Sequence, residues 1–251
     1  MIDLKGKRVL VTGGSRGIGA AAARLFARAG ADVGIAYRSR ESEANAVLGE
    51  LSALGSRSFA YAGDLSTEAA NDEFVARGVE LLGGVDVYVG NSGYWPPIPA
   101  DVGVLENDRW RSTMATNLDG MFFGARAAVR VLPQGGRLIF VSSTAGQRGE
   151  AGHADYAASK GAMISFVKSL AVELGSRDIT VNTVAPGWVD TEAVSRPFAG
   201  EGRARIESAI PLGRVASPAD IAGPILFLAS SLARHITGEV VNVNGGSVLC
   251  G

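Results

Sequence analysis

The chain alternates short apolar segments with longer helical patterns along almost its whole length. Consecutive strand–helix–strand units give a mainly parallel sheet with helices on both faces, so this alternation predicts a doubly wound, seven-stranded α/β fold. The strand candidates are bounded by turn residues, as buried strands are: Arg8–Thr12, Asp32–Tyr37, Arg57–Ala62, Val85–Gly90, Arg137–Ser142, Thr180–Val184 and Glu239–Val243. The helix candidates are Gly17–Ala29, Glu41–Leu54, Thr67–Leu82, Asp108–Leu132, Ala154–Gly175 and Pro218–Ala229.

The size and the spacing of these segments favour one domain. A chain of 251 residues that is 47% hydrophobic can bury one sizeable core, and it contains no linker or repeat. We therefore expect a single domain over residues 1–251. The segment Trp188–Ile210 is irregular, and a long segment of that kind in a compact domain is often a lid, which we place at about 188–210.

Composition excludes several other classes of function. A formal net charge of -1 without a polybasic run gives no indication of binding to nucleic acid or an anionic membrane. No run of 18 apolar residues occurs, and the first residues lack the apolar core of a signal peptide. The single cysteine, Cys250, cannot form a disulfide within the chain, which fits a cytoplasmic protein. Two histidines and one cysteine are too few for a typical structural zinc site, so we predict no metal.

A glycine-rich turn, TGGSRGIG (12–19), follows the first strand candidate and precedes a helix. Glycines allow a tight turn and let backbone N–H groups approach a pyrophosphate, and the helix N-terminus adds a favourable dipole. In this strand–turn–helix context the segment predicts a dinucleotide-binding loop. Its spacing is G-x-x-x-G-x-G, which differs from the standard G-x-G-x-x-G fingerprint.

Tyr156 and Lys160 lie four residues apart in the segment DYAASKGAMISF (155–166). On a helix these positions share one face, so the phenol and the ammonium can lie together. A free tyrosine has a pKa of about 10, and a nearby cation lowers the pKa of a phenol toward the range that suits a general acid or base. The pair predicts proton exchange between Tyr156 and a substrate oxygen, with Lys160 lowering the pKa of Tyr156.

The 12–19 loop and the downstream Tyr-x-x-x-Lys together resemble the classical short-chain dehydrogenase/reductase family, including its 3-oxoacyl-(acyl carrier protein) reductases. The resemblance extends from Lys7 to Gly246 and implies a Rossmann-type fold. By this resemblance Ser143, thirteen residues before Tyr156, holds the substrate oxygen. The resemblance also implies that Lys160 binds the nicotinamide ribose and that Asn117 holds a water in a proton relay. The implied catalytic tetrad is Asn117, Ser143, Tyr156 and Lys160.

Basic residues stand where the second strand candidate ends. An acid that binds the cofactor ribose is expected about 20 residues beyond the glycine loop, but the segment YRSR (37–40) contains none. The planar fork of arginine matches phosphate oxygens, and the resemblance implies that Arg38, together with Arg16, meets a 2′-phosphate. We therefore predict NADP(H) as the cofactor.

The resemblance places the other cofactor contacts at the carboxyl ends of strands, where doubly wound sheets bind ligands. Asp64 is implied to lie near the adenine; the alternative is an acid that caps a helix. Gly90, Ser92 and Asn244 depart from the usual family pattern. The predicted cofactor-binding residues are Gly13, Ser15, Arg16, Gly17, Ile18, Gly19, Arg38, Asp64, Leu65, Asn91, Gly93, Tyr156, Lys160, Pro186, Gly187, Val189 and Thr191.

Aromatic residues lie in the loops that should surround the substrate. We predict Trp95, His153 and Trp188 as substrate-contacting residues, which favours an apolar or aryl ketone over a sugar. The alternative is that Trp95 and Trp188 pack the lid or a contact between subunits. The long helix candidates Asp108–Leu132 and Ala154–Gly175 resemble those that pair in family tetramers, so we expect a homotetramer.

Three functions remain open at this stage. The favoured one is an NADPH-dependent carbonyl reductase, or ketoreductase, that converts a small-molecule ketone to a secondary alcohol by hydride transfer, with tyrosine as general acid. The second is the same chemistry in the oxidising direction on a secondary alcohol. The third is a non-enzymatic NADP-binding regulator, which the complete tetrad disfavours.

Overall fold

A seven-stranded parallel sheet lies at the centre of the protein. The computed structural model describes residues 2–249, so Cys250 lies outside the described residues. The strand order is β3-β2-β1-β4-β5-β6-β7, and every pairing is parallel. This confirms the predicted doubly wound fold. The strands are β1 (Arg8–Thr12), β2 (Asp32–Tyr37), β3 (Ser58–Ala62), β4 (Val87–Gly90), β5 (Arg137–Val141), β6 (Thr180–Pro186) and β7 (Val240–Val243).

Helices cover both faces of the sheet. The helices of residues 2–249 are α1 (Gly17–Arg28), α2 (Glu41–Ala53), α3 (Glu68–Leu82), α4 (Asn107–Met114), α5 (Gly120–Val131), α6 (Thr144–Arg148), α7 (Ala154–Leu174), α8 (Gly202–Ser208) and α9 (Pro218–Ala229). Successive strand side chains point to opposite faces, so Val9 and Val11 of β1 pack with α1, α2 and α9, whereas Leu10 packs with α3, α5 and α7. The sheet is therefore held between two hydrophobic cores.

The segment Asp108–Leu132 is helical as predicted, but the sequence did not indicate the π-helical turn within it. The structure has α4, then a π-helical turn over Ala115–Asp119, then α5. A π turn holds one residue more than the regular repeat and often occurs at a functional site. Here it contains Asn117, whose fully buried side chain bonds outside its own helix.

The segment predicted as a lid contains little regular structure. After β6 the chain forms a short 3₁₀ turn over Glu192–Val194, and α8 follows near its end. Thr191, near the start of this segment, packs on the glycine loop: a Cβ added at Gly17 would lie 3.3 Å from its Cγ2. Throughout residues 2–249, the helices are too short or too polar to cross a lipid bilayer.

Candidate active site

Two adjoining cavities lie along the carboxyl edge of the sheet. The outer cavity, of about 570 Å³, is lined by the glycine loop, the ends of β2, β3 and β4, and the start of the lid. The inner one, of about 220 Å³, lies against Tyr156 and Trp188. Residues such as Ile18 and Gly93 line both, so the two form one cleft. Every predicted cofactor-binding residue except Gly19 lines this cleft.

The glycine loop has the backbone that its sequence predicts. Gly13 and Gly17 adopt positive φ values of 63° and 54°, a region that favours glycine. Gly19 lies beneath the loop, where a Cβ would be 2.2 Å from the carbonyl oxygen of Gly13. No side chain of the described residues caps the N-terminus of α1. Its backbone N–H groups and dipole therefore suit an anionic pyrophosphate.

Asn91 joins the end of β4 to the glycine loop. Its Nδ2 donates to the Thr12 carbonyl at 2.9 Å, and its backbone N–H donates to Thr12 Oγ1 at 2.9 Å. The preceding residue departs from the family pattern for a packing reason. A Cβ at Gly90 would lie 2.5 Å from Cδ1 of Phe140, so the phenylalanine ring occupies the space of a side chain at position 90.

Three arginines line the outer cavity at the predicted 2′-phosphate end: Arg16, Arg38 and the unpredicted Arg40. Arg38 is exposed, with Nη1 3.9 Å from Oδ2 of Asp64. Asp64 accepts a hydrogen bond from the Ser66 backbone N–H at 3.0 Å, which lowers the pKa of the Asp64 carboxyl. Asp64 thus stabilises the turn before α3 and also lines the cleft.

Tyr156, Lys160 and Ser143 meet at the inner cavity. The Ser143 hydroxyl lies beside the Tyr156 phenol, where it lowers the pKa of the phenol, and it accepts from the Ala145 backbone N–H at 3.1 Å. Lys160 Nζ lies 5.9 Å from the centroid of the Tyr156 ring and donates to the Val141 carbonyl at 2.8 Å. The neighbouring Ser142 hydroxyl instead donates to the Lys160 carbonyl at 2.8 Å. The geometry therefore supports Ser143, rather than Ser142, as the hydroxyl available to a substrate.

Burial dominates the ionisation of both groups. Burial is the largest influence on Tyr156 and raises its pKa to about 12. The neighbouring Ser143 hydroxyl acts in the opposite direction, and the charge of Glu150 acts in the same direction as burial. Burial also lowers the pKa of Lys160 to about 8. The lysine amine is directed here to the Val141 carbonyl, and the lowering of the Tyr156 pKa by Lys160 stays a prediction.

Asn117 lies next to this pair. Its Oδ1 accepts from the Tyr94 backbone N–H at 2.7 Å, and its Nδ2 donates to the Tyr94 carbonyl at 3.0 Å and to Ser159 Oγ at 3.1 Å. A Cβ added at Gly93 would lie 3.3 Å from Lys160 Nζ and 3.5 Å from Asn117 Oδ1. Asn117 and Lys160 therefore flank the same glycine, close to the inner cavity.

Comparisons with known proteins agree with this geometry. A family model described as enoyl-(acyl carrier protein) reductase matches residues 13–247. The chain belongs to the short-chain dehydrogenase/reductase family.

The relatives within this family differ in their described substrates. An L-rhamnose 1-dehydrogenase (NAD(P)(+)) of a Sphingomonas species is 39% identical over 97% of this chain and 96% of its own length. The 3-oxoacyl-[acyl-carrier-protein] reductase FabG of Vibrio cholerae is 39% identical over 98% of both chains. A short-chain dehydrogenase from Burkholderia cenocepacia, solved in complex with NADP, superposes with a TM-score of 0.92 and 37% identity, over 97% of this chain and 98% of that one.

In this short-chain dehydrogenase/reductase, Trp95 and Trp188 form one wall of the inner cavity, with ring centroids 6.2 Å apart. His153 is buried behind Trp95. It stacks on that ring at 4.5 Å, and its Nε2 lies 3.0 Å from the Pro96 carbonyl oxygen. Trp95 and Trp188 therefore line the inner cavity as predicted. His153 does not line it, and instead lines a separate groove on the far side of the two tryptophans.

Sequence reasoning missed two charged residues of the inner cavity, Arg148 and Glu150. Glu150 Oε1 accepts a hydrogen bond from Trp95 Nε1 at 3.2 Å, which fixes the carboxylate beside the predicted substrate wall. Glu150 lies within the 147–155 segment that precedes Tyr156. The charges of Arg148 and Glu150 are the only local signal that could have indicated these two residues.

Asn244, the third departure from the family pattern, closes a turn after β7. Its Oδ1 accepts from the Gly246 backbone N–H at 2.9 Å, and its Nδ2 donates to the Val248 carbonyl at 3.1 Å. A carboxylate accepts but cannot donate, so the aspartate usual in the family could not make the second bond.

Proposed function

We propose that this oxidoreductase is an NADPH-dependent carbonyl reductase that converts a ketone to a secondary alcohol. The observation that carries the proposal is the position of the Tyr156 phenol and the Ser143 hydroxyl in a cavity continuous with an arginine-lined dinucleotide cleft. The related Burkholderia structure, described in complex with NADP, supports the choice of cofactor.

The chemistry divides between the cofactor and the chain. When bound, NADPH supplies the hydride. Tyr156 is protonated at neutral pH, since its pKa is about 12, and it donates its proton to the substrate oxygen while the Ser143 hydroxyl holds that oxygen. Lys160, with a pKa of about 8, is the next proton donor. Asn117 holds the relay water.

The remaining cofactor contacts follow the cleft. Arg16 and Arg38 would bind the 2′-phosphate. The loop and the start of α1 would bind the pyrophosphate, and Val189 and Thr191 would hold the nicotinamide carboxamide. Arginine suits a phosphate through its planar donor fork. We further propose a cytoplasmic homotetramer, on the strength of the single cysteine and of apolar side chains exposed on α5 and α7, such as Phe122 and Val172.

Two substrate classes fit different parts of the inner cavity. Trp95 and Trp188 favour an apolar or aryl ketone, or a 3-oxoacyl compound, in the reducing direction. Arg148 and Glu150 line the same cavity and can hydrogen-bond hydroxyl groups, which favours a second candidate, oxidation of a polyhydroxylated secondary alcohol. The relative described as an L-rhamnose 1-dehydrogenase supports this second candidate.

The test follows nicotinamide absorbance with NADPH and NADH in parallel on aryl ketones, cyclic ketones, β-keto esters and an acetoacetyl thioester. The reverse assay uses NADP⁺ and NAD⁺ with aryl alcohols and L-rhamnose. We expect turnover with NADPH on at least one ketone. Turnover only in the oxidising direction would select the second candidate, and no turnover in either direction would contradict both.

A further inference from the structure

One carboxylate in the lid joins two arginines that are far apart in the sequence. Glu192 begins the 3₁₀ turn after β6. Its Oε2 accepts from Nη1 of Arg16 in the glycine loop, and its Oε1 accepts from Nη2 of Arg40, just beyond β2, at 2.6 Å. The lid is thereby bonded to both sides of the cofactor cleft.

The position of Glu192 is important because the end of β2 has no acidic residue. Dinucleotide-binding sheets that use NAD carry an acid there, which hydrogen-bonds the ribose 2′-hydroxyl. Segment 37–40 has only basic charge, from Arg38 and Arg40. Glu192 lines the same cavity as both arginines, so the fold supplies from the lid the acid that the second strand does not.

The carboxylate is ionised where it lies. The hydrogen bond and the charge of Arg16, followed by the charge of Arg40, lower the pKa of Glu192. An ionised carboxylate accepts a hydrogen bond from a ribose hydroxyl but repels a phosphate, because both are anions. It also occupies guanidinium N–H groups that a 2′-phosphate would otherwise use.

We propose that Glu192 is a specificity-determining residue for the cofactor, weakening binding of the 2′-phosphate of NADPH and offering the 2′-hydroxyl of NADH an acceptor. The protein then accepts both cofactors, with a smaller preference for NADPH than its three arginines alone would give. The inference concerns cofactor binding and does not depend on the substrate.

The test measures dissociation constants of NADPH and NADH for the full chain by isothermal titration calorimetry, without substrate. The variant is Glu192→Gln. The matched control is Glu43→Gln, because Glu43 also bonds Arg40, at 3.2 Å, but lies on α2. Thermal unfolding of each variant checks folding, which we expect to be unchanged because exposed ion pairs contribute little stability.

For Glu192→Gln we expect NADPH to bind about fivefold tighter and NADH about threefold weaker, as loss of one exposed charge contact allows. Glu43→Gln should leave the ratio of the two constants within about twofold. The proposal is overturned if the two constants of Glu192→Gln change in parallel or not at all. It is also overturned if the control shifts the ratio equally. Neither result bears on ketone reduction, which is measured separately.

Discussion

At the scale of single residues, the ionisation of the site is set by burial more than by its charge pairs. Tyr156 is held protonated and Lys160 has its pKa drawn toward neutrality, both chiefly by loss of solvent. A protonated phenol is the form needed to give a proton to a carbonyl oxygen. The protonated form of Tyr156 therefore suits the proposed reduction.

Glu150 offers a direct test of this electrostatic picture. Its negative charge raises the pKa of Tyr156, so Glu150→Gln should lower it. Alcohol oxidation needs the Tyr156 phenolate, so kcat/KM for oxidation rises with pH. The midpoint of that rise should lie at lower pH in Glu150→Gln than in the wild type. We expect a shift of about half a unit, because the charge of Glu150 is the smallest of the three influences on the pKa of Tyr156.

The glutamine can still accept from Trp95 Nε1, so the cavity wall should be retained. Glu173→Gln, an exposed position on α7, is the control and should leave the midpoint in place. A midpoint that stays constant or rises in Glu150→Gln would contradict the proposed influence of Glu150 on Tyr156.

The sequence predicts those site residues whose signals lie within a short stretch of the chain. Gly13, Gly17, Tyr156 and Lys160 belong to short motifs whose strand and helix context is readable in the sequence. Glu192 is 176 positions from its partner Arg16. A contact of that kind is made only by the fold, so no pattern in the chain could have indicated it.

At the scale of elements, a buried ion pair fixes the start of α7 against α4. Asp155, immediately before Tyr156, is fully buried and accepts from Arg109 Nε at 2.9 Å and from Thr113 Oγ1 at 3.0 Å. Arg109 also donates to the Ile98 carbonyl at 2.6 Å. This cluster joins the loop after β4, α4 and the first turn of α7, so it orients the helix that carries the phenol.

Removing that charge should cost stability in a pH-dependent way. Burial opposes ionisation, but bonds from Arg109, the Tyr156 backbone N–H and Thr113 lower the pKa of Asp155 overall. Its contribution is therefore present above the unfolded value of about 3.9 and lost as pH falls through the folded pKa. Asp155→Asn should lower the free energy of unfolding by about 2 kcal/mol at pH 7.

Urea denaturation at pH 7 and pH 3 measures this effect. The difference in the free energy of unfolding between wild type and Asp155→Asn should be smaller at pH 3, which lies below the unfolded pKa. Asp72→Asn removes an exposed partner of Arg130 and should change stability by less than about 0.5 kcal/mol. Equal stability of wild type and Asp155→Asn at pH 7 would refute the structural role of the pair.

The elements themselves were predicted unevenly, for physical reasons. β1, β2 and α9 begin and end where their patterns predict, because short apolar runs bounded by turn residues and the Ser217-Pro218 cap are local signals. The π turn was missed because helical periodicity does not register one extra residue. Its stabilising bonds run from Asn117 to Tyr94 and Ser159, outside the segment.

At the scale of the whole molecule, the parallel sheet gathers residues from the glycine loop to β6 along one edge. This makes the cofactor preference a property of several distant segments. Arg38→Asp should weaken NADPH binding at least tenfold and change NADH binding by less than about threefold, since only NADPH has the 2′-phosphate. Equal loss of both affinities, measured by calorimetry, would place the phosphate elsewhere.

The assembly prediction also belongs to this scale. Val172 on α7 is 85% exposed, and Phe122 on α5 is also exposed. A tetramer should cover such a face, and light scattering after gel filtration should give four chain masses. Val172→Glu should shift the protein to smaller species, whereas Leu54→Glu, beyond α2, should not. A monomeric wild type would contradict the prediction.

The most direct test of the central claim is Tyr156→Phe, assayed for ketone turnover and, in parallel, for NADPH binding. Tyr61→Phe is the control, because its phenol bonds only Glu73 among the described residues. If Tyr156 gives the proton inside an NADPH site, turnover should fall at least a hundredfold while the NADPH dissociation constant stays within about threefold. Retained turnover would contradict the account, and so would a loss of NADPH binding together with the loss of turnover.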